Sequence, residues 1–168
     1  TEEKEMKKLL LVILTVLPIA CAPQQAQNFA SLEDALANAS GRPDADKSRD
    51  AGRKPVEVLN FLGIESGQTV IDMIAAAGYY TEVLSYAVGP TGRVYMQNSA
   101  ASLTGERGER TAAAIERRLA NGRLANVERL TRDPDDLGLS DNSVDTIIIA
   151  LEFHELYRSD NPNAVAEF

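Results

Sequence analysis

The stretch that decides the fold is residues 70–81, Val70-Ile71-Asp72-Met73-Ile74-Ala75-Ala76-Ala77-Gly78-Tyr79-Tyr80-Thr81. Residues 69–75 are rich in β-branched and apolar residues, which predicts a strand. Gly78 then opens a helix whose apolar residues recur at helical spacing, Tyr80, Val83, Leu84 and Ala87. A strand that runs through small residues into a helix is typical of one half of a βαβ unit.

Strand and helix patterns alternate on both sides of this stretch. Pro55 suits the first turn of a helix that Gly63 ends. After residue 81 the pattern predicts a strand over 93–97, a helix over 109–120, a strand over 127–130 and a strand over 144–151. The last run is almost uninterruptedly apolar, which is typical of a parallel strand covered on both faces. These patterns predict an α/β fold, an open parallel sheet with flanking helices.

In the predicted helix over 109–120, Ile115 and the apolar residues at helical spacing from it are expected to face inward. Glu116, Arg117 and Arg118 are expected to face solvent as a charged surface.

Four segments directly follow the predicted strands: 72–78, 97–98, 132–136 and 152–155. Ligands of open parallel sheets bind beyond the carboxyl ends of the strands. We therefore expect these four segments to share one edge of the sheet and to contain the functional site.

Composition narrows the class of partner. The chain has 168 residues, 17 Lys and Arg against 25 Asp and Glu, and a formal net charge of -8. This length favours one domain. The acidic balance disfavours a nucleic-acid partner, because binding to phosphates depends on clustered basic residues.

The N-terminal region is typical of an export signal. Lys7 and Lys8 precede a short apolar run, and a small-residue segment surrounds Cys21. Either Cys21 is lipidated and anchors the mature chain to a membrane, or cleavage after Ala22 removes it. We divide the chain into a signal peptide or lipobox (1–22), a spacer and helix (23–42) and a partial α/β domain (43–168). We expect an exported protein, either periplasmic or a lipoprotein of the outer membrane or cell surface.

Residues 70–81 resemble motif I of class I S-adenosylmethionine (SAM)-dependent methyltransferases, in which an apolar strand ends in an acid and a glycine-rich turn opens a helix. Residues 133–145 resemble the segment that enters strand 4 of that family. Gly78-Tyr79-Tyr80-Thr81 and Phe153-His154-Glu155-Leu156-Tyr157 are similar to an exported bacterial subgroup. The resemblance implies a Rossmann-like sheet of which this chain holds the first four strands only, so that we expect a C-terminal truncation.

The resemblance also implies roles for residues at the predicted edge, with SAM as cofactor. Cofactor contacts are expected from the following residues: Asp72 near the methionine part, Ala76 and Gly78 in the turn, Asn98 where a ribose-binding acid is usual, and Asp133 at the adenine amino group. His154, as a general base, and Tyr79 are the candidate catalytic residues.

Two departures from the family pattern weaken cofactor binding. The family usually has glycine at the positions of Ile74 and Ala76, and a β-branched residue resists positive φ. Asn98 can accept a hydrogen bond but carries no charge.

The sequence therefore predicts a methyltransferase that acts on a small molecule or another non-nucleic-acid substrate. The alternative is a non-catalytic exported binding module with a degenerate methyltransferase fold. No metal site is predicted, because one His and scattered acids show no recurring ligand spacing. An apolar edge at Ile147–Leu151 calls for cover by an oligomer partner or by a missing C-terminal segment.

Overall fold

The computed structural model describes residues 31–158. The predictions for residues 1–22, including Cys21, lie outside this range. The described helices are α1 (Leu32–Asn38), α2 (Asp44–Lys47), α3 (Asp50–Arg53), α4 (Pro55–Phe61), α5 (Tyr79–Val88) and α6 (Gly105–Leu119). The strands are β1 (Thr69–Asp72), β2 (Arg93–Asn98), β3 (Val127–Thr131) and β4 (Thr146–Ile148). A short 3-10 helix, Phe153–Arg158, follows β4.

The four strands form one parallel sheet in the order β3-β2-β1-β4. Asp72, the last residue of β1, lies opposite Met96 on one side and Ile148 on the other. The predicted α/β class is confirmed. After β3 the chain returns to the far side of β1, so that the strand order reverses between β1 and β4. Such a reversal opens the crevice in which α/β proteins bind ligands.

One face of the sheet is well covered by helices. Val70, Val94 and Ile148 point to this face and pack against buried apolar residues of α1, α4 and α5, namely Leu36, Leu59, Tyr79, Tyr80, Val83, Leu84 and Val88. Each large aliphatic side chain buried there stabilises the fold by roughly 1.5–3 kcal/mol. This packing orients α5, and therefore the turn that precedes it.

The opposite face has a thinner cover. Ile71, Met73 and Tyr95 pack there against apolar residues of the segment that precedes β4, Leu137, Leu139 and Val144. Within residues 31–158 no helix lies in that packed cluster. A groove of about 440 Å³ opens between this segment and the exposed side of the sheet at Ile71 and Ile147.

Two predicted strands are longer than the observed ones. β1 ends at Asp72 instead of continuing to residue 75, because Ile74 already has a positive φ of 54°. β4 covers only Thr146–Ile148, and the expectation that its apolar run is covered on both faces is wrong. Ile147 is 50% exposed and Leu151 62% exposed. The reason is that the thin cover on this face of the sheet leaves a groove at Ile147.

The predicted outward orientation of Arg118 is also wrong. Its side chain is 7% exposed and lies between two buried acids, Asp46 and Glu82. The helical pattern had placed it with Glu116 and Arg117, which are indeed exposed. The two short helices α2 and α3 were not predicted, because their charged sequences show no apolar periodicity. Among the described helices, none has the length and apolar character needed to cross a membrane.

Candidate functional site at the carboxyl edge of the sheet

The turn between β1 and α5 alternates between ordinary and left-handed backbone. Ile74, Ala76 and Gly78 have φ values of 54°, 48° and 82°. The methyltransferases that the sequence resembles usually have glycine at these positions. The left-handed conformation costs a non-glycine residue roughly 1–2 kcal/mol. The expectation that Ile74 would resist a positive φ is therefore wrong. Ile74 and Ala76 adopt the backbone conformation that glycine favours, and the turn is strained as a result.

Gln97 holds this turn in place. The amide N–H of Ile74 donates to the Gln97 side-chain Oε1 at 2.8 Å, and the N–H of Ala75 donates to the Gln97 carbonyl at 2.9 Å. On its other side, the Gln97 Nε2 donates to the carbonyl of Arg132 at 2.6 Å. Gln97 is fully buried. One amide side chain therefore connects the segments that follow β1 and β3.

Asn98 adds a second connection. It is the last residue of β2 and is buried, and its Nδ2 donates to the carbonyl of Ala76 at 3.3 Å. The structure therefore places Ala76 and Asn98, both predicted to bind the cofactor, in direct contact. With its N–H groups used in this way, the Asn98 side chain offers its oxygen as an acceptor.

Asp72 lies beneath the turn and is only 2% exposed. The hydroxyl of Thr81 donates to its Oδ2 at 2.5 Å. Burial raises the pKa of Asp72 to about 7, although hydrogen bonds from the Thr81 side chain and backbone and the charge of Arg118 act in the opposite direction. Glu152 adds to the rise as a like charge. This carboxylate caps the first turn of α5, and its predicted contact with a cofactor stays a prediction.

Arg118 fixes the end of the turn at which α5 begins. Its Nε donates to the Ala77 carbonyl at 2.7 Å. Its other nitrogens pair with Glu82 and, at 2.6 Å, with Asp46. A Cβ on Gly78 would lie 3.2 Å from the Arg118 Cδ and 2.5 Å from the Met96 Cε, so that glycine is required here for space as well as for its φ.

Tyr79, a candidate catalytic residue, packs against Tyr80. Both side chains are buried, and their rings meet edge to face with centroids 5.1 Å apart. The Tyr79 hydroxyl donates to Asp50 at 2.6 Å, and the guanidinium of Arg53 lies 4.3 Å from its ring centroid. Burial and the bond to Asp50 hold the pKa of Tyr79 above its usual range. Its catalytic role stays a prediction.

The other predicted residues follow the remaining strands at the same edge. Asp133 comes after β3 and is exposed. His154 lies in the short helix after β4, is 61% exposed, and places its Nε2 3.2 Å from the Glu155 Oε1. The structure therefore brings Asp72, Ala76, Gly78 and Asn98 together at the ends of β1 and β2, with Ala76 half-buried, and leaves Asp133 and His154 on exposed segments. Sequence reasoning missed the bridging role of Gln97 and the role of Arg118, because neither has a local signal.

The strand order, the turn after β1 and the residues at the strand ends define a Rossmann-like fold of the class I methyltransferase type. A comparison with solved structures agrees. The chain is similar to the crystal structure of a SAM-dependent methyltransferase from Aquifex aeolicus, with 31% identity and a TM-score of 0.56. The match covers 75% of this chain and 64% of that one, so that the chain spans a little under two thirds of its length.

A second similar structure is a SAM-dependent O-methyltransferase from Thermotoga maritima, with 21% identity and a TM-score of 0.47. That match covers 82% of this chain and 53% of the other. No family model matches the sequence, and a search of curated proteins found no match.

Proposed function

We propose that this chain is the cofactor-binding part of a SAM-dependent methyltransferase that acts on a small molecule or another non-nucleic-acid substrate. The observation that carries the proposal is the turn after β1. Two non-glycine residues, Ile74 and Ala76, adopt left-handed backbone there and are held by hydrogen bonds to the buried side chains of Gln97 and Asn98. Backbone strain of this kind persists where surrounding structure enforces it, and it is concentrated at ligand sites.

The donors and acceptors around the turn fit the polar groups of SAM. Asp72 supplies negative charge near a ligand that carries a sulfonium and an ammonium group. Asn98 offers an amide oxygen to the ribose hydroxyls, and Asp133 offers a carboxylate to the adenine amino group. The carboxyl of Asp72, with its pKa of about 7, is partly protonated at neutral pH, and a cation beside it favours the ionised form.

Methyl transfer from SAM requires mainly that the protein align the methyl group with its acceptor. SAM supplies a methyl group already activated by the sulfonium. The chain has to hold that group in line with an acceptor and to exclude water. The buried clamp of Gln97 and Asn98 fixes the turn for this purpose, and His154 stands at the same edge as a candidate acceptor for the proton that a nucleophile releases.

A second candidate is a non-catalytic binding module. The replacement of two glycines by Ile74 and Ala76, and of a ribose-binding acid by Asn98, favours it. Both candidates predict that the cofactor binds, and only the enzyme transfers a methyl group.

Isothermal titration with SAM and with its demethylated product tests the proposal. We expect weak binding of both ligands, which Asp133→Ala reduces and Asp72→Ala abolishes. Asp133 is exposed, so that its replacement leaves stability unchanged and isolates the ligand contact. The exposed Asp141→Ala serves as the matched control. Absence of binding at high micromolar ligand contradicts the proposal. Binding without methyl transfer to any acceptor in a small-molecule panel favours the binding module.

We further propose that the protein is exported, and that a lipidated Cys21 anchors it to the membrane. The basic and apolar segments before Cys21 support this proposal. Cell fractionation of the protein and of Cys21→Ala tests it. We expect the parent protein to associate with membranes and the variant to lose this association. An unprocessed cytoplasmic chain contradicts export, and membrane association that persists in the variant contradicts the anchor.

A further inference from the structure

The turn after β4 gathers three side chains of metal-ligating type. Glu152, His154 and Glu155 each direct one ligand atom into a common space, in which these atoms lie within 4.8 Å of one another. We propose that these three residues form a binding site for a divalent transition-metal ion. The inference does not depend on methyl transfer or on SAM binding, and in it His154 is a metal ligand in place of a proton acceptor.

The distances suit an ion after small rotations of the side chains. In a tetrahedral zinc site each ligand atom lies about 2.0–2.2 Å from the metal. The ligand atoms of such a site are then closer to one another than the 4.8 Å within which the three atoms lie here. The His154 Nε2 and the Glu155 Oε1 are already 3.2 Å apart. His154 is 61% exposed, so that its ring is free of the packing that would oppose such a rotation.

The charges around the turn call for a cation. Among the side chains that the structure describes, none donates a hydrogen bond to the Glu152 carboxylate or forms an ion pair with it. Asp72 interacts with this carboxylate as a like charge. A divalent ion would supply positive charge at the Glu152 carboxylate, with His154 and Glu155 as its further ligands.

The ligand set indicates which ions fit. One imidazole nitrogen and two carboxylate oxygens suit Zn²⁺ or Mn²⁺, whereas Mg²⁺ and Ca²⁺ prefer oxygen ligands alone. Three protein ligands leave at least one coordination position open, as in metal sites that also bind water or a substrate. The turn lies beside the crevice between β1 and β4, so that an ion held there has access to a ligand in that crevice.

This arrangement also explains why the sequence did not predict a metal site. The spacing of residues 152, 154 and 155 matches no recurring zinc motif. The ligands converge because the chain turns sharply after β4, where Leu151 has a left-handed φ of 68°, and then enters a 3-10 helix.

The single histidine of the chain makes the test specific. The protein is purified without a polyhistidine tag and titrated with ZnCl₂ by calorimetry, and the imidazole protons of His154 are observed by NMR while MnCl₂ is added. We expect one-to-one zinc binding and selective broadening of the His154 signals by Mn²⁺. MgCl₂ at the same concentration should leave these signals unchanged.

Two variants and one control assign the ligands. Glu152→Gln and His154→Ala should each weaken zinc binding by at least about tenfold, which is the lower end of the losses seen even for changes outside the ligand shell. Glu109→Gln removes one exposed carboxylate from α6, far along the chain from this turn, and should bind zinc like the parent. Circular dichroism checks that each variant is folded.

Two results would overturn the inference. One is zinc binding of equal strength in the parent and in both ligand variants, because the ion would then bind elsewhere. The other is the absence of any effect of Zn²⁺ or Mn²⁺ on the His154 signals. Neither result bears on SAM binding, which is measured separately in metal-free buffer, so that the two proposals fail independently.

Discussion

The turn after β1 and the turn after β4 lie at the same edge of the sheet but are held in opposite ways. Both contain non-glycine residues with positive φ, Ile74 and Ala76 in the first and Leu151 in the second. The first turn is fixed from several sides by Gln97, Asn98 and Arg118 through buried hydrogen bonds, as described above. The second exposes Leu151, Phe153 and Tyr157.

This difference separates a preorganised part of the site from an adaptable one. A turn whose backbone is held by several hydrogen bonds from buried side chains rearranges little when a ligand arrives, and it loses little entropy on binding. A turn with few buried contacts opens at low free energy and can adjust its side chains to an ion or a substrate. We therefore expect mutations to have large effects on stability at the first turn and small ones at the second.

The largest effect is expected from Arg118→Met. This change removes the charge that lies between the buried acids Asp46 and Glu82, and breaking a buried ion pair on one side costs about 3–5 kcal/mol. Arg110→Met is the matched control, because Arg110 pairs with Glu106 on the surface of the same helix and such pairs contribute about 0.5 kcal/mol or less. Urea unfolding measures both. Equal losses would show that the network does not hold the first turn.

Gln97→Leu should have the next largest effect. Leucine has a similar volume, but it leaves the Ile74 N–H and the Arg132 carbonyl without their protein partners. A fully buried group loses about 1–3 kcal/mol in this way, and these two part-buried groups lose less. Gln68→Leu provides the comparison, since the Gln68 side chain accepts one hydrogen bond, from the exposed N–H of Glu65. Thermal unfolding should show a clear fall in Tm for the first variant only. A similar Tm for both variants would contradict the conclusion that Gln97 holds the turn in place.

The effect of Asp72→Asn should depend on pH. Burial raises the pKa of Asp72 from 3.8 to about 7, so that between these values the folded chain binds a proton that the unfolded chain does not. Stability from this group is therefore present below pH 4 and is lost as the pH rises through 7, by an amount on the order of 4 kcal/mol at most. Asparagine does not titrate.

Urea unfolding of the parent and of Asp72→Asn at pH 5 and pH 8 checks this expectation. The parent should lose more stability than the variant between the two pH values. Parallel pH profiles would show that Asp72 is ionised in the folded protein throughout the range.

The smallest effect on stability is expected from Ile147→Lys, at the exposed edge strand. The side chain is half exposed, and replacements of this kind usually change the free energy of unfolding by less than about 0.5 kcal/mol. We propose that a second copy or a further segment of the protein covers β4, since an unpaired apolar edge promotes association. The lysine should therefore shift the protein towards monomer.

Sedimentation velocity of the parent, of Ile147→Lys and of Phe61→Lys tests this proposal. Phe61 is 89% exposed on α4, away from the sheet edge, so that its replacement should leave association unchanged. A parent protein that is already monomeric would contradict the proposed cover by a second copy, and an equal shift in both variants would show that the edge is not specific.

Much of the fold could be predicted from the sequence, because strand and helix patterns depend on neighbouring residues. The alternation of apolar runs with helical periodicity gave the α/β class, and the positions of Asp72, Asn98, Asp133 and His154 after successive strands follow from it. The errors fell on strand ends and on helix faces. β4 is shorter than its apolar run, because a strand also needs a neighbouring strand to pair with and β1 ends at Asp72.

The sequence by itself determined which residues follow the strands, and a parallel sheet then brings them to one edge. Only the tertiary structure decided how that edge is built. Arg118 lies 36 residues from Glu82 and 72 from Asp46, and these three charges meet only after α2, α5 and α6 have packed. The backbone of Ile74 and Ala76 is likewise set by hydrogen bonds from β2, against local preference. Contacts between distant segments can outweigh a cost of 1–2 kcal/mol per residue, and no local pattern records them.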